Sequence, residues 1–141
     1  MLASNGEFAH GSYGDDSGVI FYAGPPDDPM TGRFIVSDRF VDALFRAVLD
    51  RSARIGAAGG IPRLVGEWNG VEGWVDGFEA VEVPQADARD LLAALSAVSL
   101  ADLAPHSWGT TPADCLRCAA AIVAFVEPVL ATGGRVYLRG D

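Results

Sequence analysis

Lysine is missing from this 141-residue chain: all ten basic residues are arginine, and they stand against nineteen Asp and Glu, a formal charge of −9. A field of that sign repels nucleic-acid phosphates and anionic lipid, so neither is an expected partner, and a basic protein is the natural complement. Without lysine there is no phosphate-cradling Gly-Lys-Ser/Thr loop. Positive charge exists only as guanidinium, which favours fixed, bidentate carboxylate pairs. Histidine occurs only as His10 and His106, which leaves little room for a general base. No Gly-x-Ser-x-Gly elbow and no His-Glu-x-x-His pattern is present either, so catalysis has no signature and a non-enzymatic role is the expectation.

Long apolar runs are also lacking. The longest, residues 119–126, is far short of the ~20 residues a membrane span needs, and Glu127 and Pro128 follow it. The first eight residues hold neither a basic cluster nor an apolar run, so no secretory signal or transit peptide is expected and the cytoplasm is the expected compartment. Cysteine occurs twice, as Cys115 and Cys118. A thiol near a helix N-terminus gains thiolate character from unsatisfied N–H groups, so this pair is a possible thiol site. Against that, Asp114 opposes thiolate formation and no strand leads directly into the pair, and packing in the core is the alternative. Cys115, Cys118, His106 and His10 match a zinc set in number but not in spacing, so neither metal nor cofactor is expected. Asp15-Asp16 and Asp27-Asp28 lie among Gly and Pro, where turn chemistry accounts for them and no EF-hand order appears.

What is present is a globular composition, 50% hydrophobic and 21% charged. A chain of this length buries roughly two-thirds of its unfolded surface around one core. Residues 1–17 show neither hydrophobic period and read as a flexible lead-in to a single domain over 18–141. The β-branched and aromatic runs 19–22 and 32–36 predict a hairpin across a Gly- and Pro-rich loop. Ser37 is an N-cap for a helix whose apolar positions Phe40, Val41, Leu44, Phe45, Val48 and Leu49 recur at helical spacing. On its other face Asp42 and Arg46, and Asp50 and Arg54, are spaced to pair four residues apart. Residues 64–68 and 71–75 flank Asn69-Gly70, which predicts a type I′ hairpin, and 78–83 extends the sheet. Pro84 opens a helix through Ala88, Leu91, Leu92, Leu95 and Val98, followed by a short helical turn over 99–103. Thr111-Pro112 opens a long helix that should sit centrally in the core and end at Gly133-Gly134, before a closing strand. The result is an α+β domain with a mostly antiparallel sheet of five to six strands against three helices.

The stretch from Val83-Pro84-Gln85 through Leu91-Leu92-Ala93-Ala94-Leu95 and Ser99-Leu100, then a long helix and Gly133-Gly134-Arg135-Val136-Tyr137-Leu138, resembles the uncharacterised YfbM-like family over roughly the last 60 residues. That resemblance implies an α+β fold and carries no chemistry.

The densest grouping with a recognition character is Glu67, Trp68, Glu72, Trp74, Asp76 and Glu79: two large aromatics among four carboxylates. Anchoring aromatics beside negative charge suit a basic protein surface through desolvated contact and cation–π attraction. Core packing of Trp68 and Trp74 is the competing reading. Two functional expectations follow. The first is a small acidic binding protein, of the kind represented by immunity proteins and antitoxins, that covers a basic partner. The second is a small enzyme or small-molecule binder with a pocket near the loop 105–111, drawing on carboxylates, His106 or the two thiols.

Overall fold

The computed structural model describes Phe8 and residues 18–55, 62–69 and 80–140, with backbone only at 55 and 67–69. Strands β1 (Gly18–Tyr22) and β2 (Arg33–Ser37) lead into helix α1 (Asp38–Ile55) and the short α2 (Arg63–Asn69). Strand β3 (Val81–Val83) precedes α3 (Gln85–Ala97), α4 (Leu100–Leu103) and a 3₁₀ turn, Ala104–His106. Helix α5 (Pro112–Ala131) and strand β4 (Val136–Gly140) close the order. The strands form one antiparallel sheet in the order β2-β1-β4-β3. The fold is thus α+β, with four strands and five α-helices among the described residues in place of the expected five to six and three.

The β1–β2 hairpin is as expected, with Val19 opposite Val36 and Phe21 opposite Phe34. Ala23 N–H donates to Gly32 O at 3.0 Å to close it. Within the loop, Thr31 Oγ1 donates to Pro25 O at 2.6 Å and Met30 N–H to Asp28 Oδ1 at 2.9 Å, the turn role that Asp beside Pro serves well. Gly24 takes φ +146°, and a side chain there would meet Thr31.

Every second residue of the sheet turns toward the helices. Val19 and Phe21, Phe34 and Val36, and Val136 and Leu138 join one buried cluster with Phe40, Leu44 and Phe45 of α1, Leu64 and Val65 of α2, Leu91 and Leu95 of α3, Leu103 of α4 and Ile122 of α5. Phe8 belongs to it too. Only 3% exposed, it sits edge-on to Phe40 at 5.2 Å, and its carbonyl accepts from Ser37 N–H at 2.7 Å. The lead-in expected over 1–17 therefore contributes at least one core residue, and its other members lie outside the described residues.

Three expectations are corrected. Residues 64–68 are not a strand but most of α2: Gly66 N–H donates to Pro62 O at 3.0 Å, and the adjacent Leu64 and Val65 are both buried. An alternating strand would have sent one of the two to solvent. The second arm of that hairpin, 71–75, lies outside the described residues, as do 78 and 79 of the third run, whose described part forms the strand Val81–Val83. Helix α5 is not central. It buries one stripe, Cys115, Cys118, Ala119, Ile122, Val126 and Leu130, and its opposite side is alanine-rich and exposed. Finally, Asp42 and Arg46 pair at 2.8 Å as spaced, but Arg54 turns instead to Asp102 and Asp50 to His106.

Candidate functional site

The arginines of the described body are largely consumed by the body itself. Six are ion-paired: Arg46 with Asp42, Arg51 and Arg54 with Asp102, Arg63 with Asp87, Arg117 with Asp114, and Arg135 with Glu82. Arg39 and Arg89 donate to the carbonyls of Gly109 and Leu130, and Arg33 lies over the Tyr22 ring at 5.3 Å. All ten arginines and twelve of the nineteen acidic residues fall within the described residues, a balance of −2. The other seven acids, −7 of the total −9, lie in 1–17, 72–79 and at 141. Negative charge is therefore concentrated along a few segments of the chain and is not spread over the fold.

The densest polar cluster joins the end of α1 to α4. Asp102 caps its own helix: its N–H donates to Ser99 Oγ at 3.2 Å, and its carboxylate accepts Ser99 N–H and Oγ–H at 3.0 Å each. This reciprocal box satisfies donors that a helix start otherwise leaves orphaned. Arg51 approaches the same carboxylate at 3.5 Å and Arg54 lies closer still. The Ser99 N–H is the main cause holding the Asp102 carboxyl down at about 2. Burial opposes it, and Arg54 and the Ser99 hydroxyl add to the lowering. One turn on, His106 Nε2 meets Asp50 Oδ2 at 2.5 Å, so the α4 region is clamped to α1 at two places.

The loop that follows is held at several points. Ser107 Oγ–H donates to Leu103 O at 2.8 Å, Arg39 Nη1–H to Gly109 O at 2.8 Å, and Asp114 N–H to the Thr111 cap at 3.1 Å. Gly109 supplies the positive φ, +71°, that the turn needs. Trp108, at its tip, is 81% exposed. Beneath it the Cys115 thiol, fully buried, lies 3.7 Å from Ser107 Oγ. Burial pushes that thiol up; the Ser107 and Thr110 hydroxyls pull the other way and Asp114 adds to the rise. Thr110 Oγ1 is shut off from solvent and, its approach to this thiol apart, has no hydrogen-bond partner among the described residues.

Cys115 and Cys118 are both buried thiols on the inner stripe of α5, an environment that disfavours the reactive thiolate. Glu67 and Trp68 fall in the last turn of α2, where only the backbone is described, and Glu72, Trp74, Asp76 and Glu79 lie outside the described residues, as does His10. No three His, Cys, Asp or Glu gather as metal ligands among the described residues, and no described helix is long and apolar enough to cross a membrane. The described cavities are shallow. One of about 60 Å³ lies between α2, β3 and α3 beside Arg63 and Val81, and an open groove of about 250 Å³ runs between α3 and α5 over Arg89, Ser96 and Glu127. Neither is lined by 105–111.

Two features escaped the sequence reading. The Ser99-x-x-Asp102 spacing was legible as a capping box, but the arginines that reach it come from about 50 residues away. Trp108 between Ser107 and Gly109 has the look of a loop aromatic, and only its 81% exposure separates it from a core residue.

Fold and surface together define a class: a small antiparallel α+β domain with a near-neutral, internally paired body and strongly acidic segments. Compared with known proteins, the chain matches no family model, no curated protein and no solved structure.

Proposed function

We propose that the chain is a small acidic binding protein, immunity- or antitoxin-like, whose segment 67–79 meets the basic surface of a protein partner. The observation that carries this reading is the division of charge. Apart from Glu67 the body holds eleven acids and every arginine and balances at −1, whereas 67–79 has Glu67, Glu72, Asp76 and Glu79, Trp68 and Trp74, and no basic residue. A field of that sign speeds association with a basic surface and rejects acidic competitors. Tryptophans among these carboxylates supply the desolvated anchors that carry affinity.

The test compares two variants of equal charge change. One neutralises the segment (E67Q/E72Q/D76N/E79Q) and the other the body (D27N/D28N/D90N/E127Q). Capture of a basic partner at about 50 mM and about 300 mM salt should weaken with salt and vanish in the first variant only. Equal loss in both variants would reduce the effect to net charge, and capture of nothing basic by the unaltered protein would end the proposal.

A second reading, a small-molecule pocket at 105–111, draws support from the buried Thr110 hydroxyl, which has no polar neighbour among the described residues beyond the Cys115 thiol. A small molecule retained in native mass spectrometry, and lost in Thr110→Val, is its expected signature. The likeness of residues 83–138 to the YfbM-like family is likewise proposed. The helix, helix, strand order there supports it, and it adds no chemistry.

A further inference from the structure

The open groove between α3 and α5 holds two opposite charges that do not meet. Arg89 stands on the α3 wall and Glu127 on the α5 wall, both exposed, above a floor of the buried Leu92 and Leu130. Among the described residues the Arg89 guanidinium donates only to Leu130 O, at 3.4 Å, and the Glu127 carboxylate has neither a hydrogen bond nor an ion pair. The two helices run antiparallel, since Gln85 and Arg89 near the start of α3 reach the carbonyls of Gly134 and Leu130 at the far end of α5. Around the two charges the exposed side chains are small: Ala93 and Ala97 on α3, and Ala120, Ala124 and Ala131 on α5. Such residues let a second helical layer approach to about 8–10 Å. Asp90 lies about 100° round α3 from Arg89 and does not line the groove. Arg117, nearer the start of α5, is paired with Asp114.

A face of this kind is self-complementary. A two-fold axis along the groove lays α3 of one copy over α5 of the other, and each Arg89 then faces the Glu127 of the other copy, so that two ion pairs form at once. Leu130, whose carbonyl Arg89 reaches, is three residues from Glu127, about 4.5 Å of helix rise. Both charges therefore stand at nearly one height along the axis, within reach of long side chains. Area agrees. With 13 and 20 residues the helices are about 20 and 30 Å long and about 10 Å wide, so the face measures roughly 500 Å² in projection, approaching the ~800 Å² of accessible surface that each partner of a standard interface contributes. We infer that this face joins two copies of the chain into a two-fold dimer, with Arg89 and Glu127 as reciprocal ion pairs across it. Two chains at −9 repel one another, and a face that sets a cation of each copy against an anion of the other is where they can meet. The inference uses nothing of 67–79 and stands apart from the role proposed for that segment.

Analytical ultracentrifugation of the full chain from about 1 to about 500 μM, at about 150 mM salt, reads the assembly. The unaltered chain should pass from monomer to dimer within that range. Arg89→Glu and Glu127→Arg should each weaken the dimer at least about tenfold, because each variant sets like charges opposite one another twice. An equimolar mixture of the two variants should regain the dimer as a heterodimer, since both facing pairs are then of opposite sign. A pair formed within one chain could not produce that result. Should either variant fail to fold by circular dichroism, Ala124→Arg on the exposed side of α5 blocks the same face and should leave a monomer. A chain that stays monomeric at about 500 μM, a dimer indifferent to the charge variants, or a mixture no more associated than its components would each overturn the inference, whether the face is then free or taken by another protein.

Discussion

Replacing Asp102 by Asn tests the clamp between α1 and α4 with little change of shape. Both Ser99 donors and Arg51 address Oδ2, and Arg54 addresses Oδ1. An amide can offer only one oxygen, so either orientation turns an NH₂ group toward donors. The lowering of the carboxyl from 3.8 to about 2 is, by linkage, at most about 2.5 kcal/mol of native-state stabilisation. Arg54 is 61% exposed and Arg51 36%, so solvent screens their share and the expected cost at pH 7 is roughly 1–2 kcal/mol. Because the group is depressed in the folded chain, its contribution is complete above pH ~4–5 and fades as pH falls through 4 toward 2. Urea unfolding of the parent and Asp102→Asn should therefore show a gap that is constant from pH 7 to 5 and closes between pH 4 and 2. The difference removes terms common to both proteins. A gap that persisted to pH 2.5, or one below about 0.3 kcal/mol at pH 7, would refute this account of Asp102.

Phe8→Ala should cost about 3 kcal/mol, since the ring is buried against Phe34 and Phe40, and a loss under about 1 kcal/mol in urea unfolding would remove it from the core. With burial raising the Cys115 thiol, alkylation of the native protein at pH 8 should proceed only as fast as the chain opens, accelerating with urea; complete labelling within seconds in buffer would contradict the packing. Gly134→Ala would bring a Cβ within 2.9 Å of Val129 Cγ1 and 3.0 Å of its carbonyl, so a loss of about 1–2 kcal/mol is expected, and a neutral outcome in thermal unfolding would show that the turn gives way.

What could be read from the sequence was whatever is encoded by neighbours in the chain. Ser37, Pro84 and Thr111-Pro112 mark three helix starts, and Gly133 at φ +74° marks a helix end, because caps and stops act within a turn. The hairpin of β1 and β2 was legible from two β-rich runs around a Pro-Pro turn. Helix α2 was not, because Val65 and the Asn69-Gly70 pair favour a strand and a turn locally, and only the joint burial of Leu64 and Val65 beside α3 decides otherwise. Pairing across long separations was equally hidden. Nothing in the order of residues tells Arg54 to prefer Asp102, 48 positions on, to Asp50, four positions before it. The recognition role proposed for 67–79 rests on composition alone.

An all-arginine cation set connects these observations. A lysine pair is easily exchanged for water, but a guanidinium can hold a carboxylate or a carbonyl through several parallel donors, so arginines tend to be retained inside a fold. Here they bind α1 to α4, α2 to α3 and β4 to β3, which is why the described body approaches neutrality while the chain as a whole stands at −9. The seven acids outside the described residues fall in segments that hold no arginine, so most of the negative balance of the chain belongs to 1–17, 72–79 and 141 and little of it to the arginine-bearing body. A chain with the same net charge but lysines scattered through 1–17 and 70–79 would lose that division of charge.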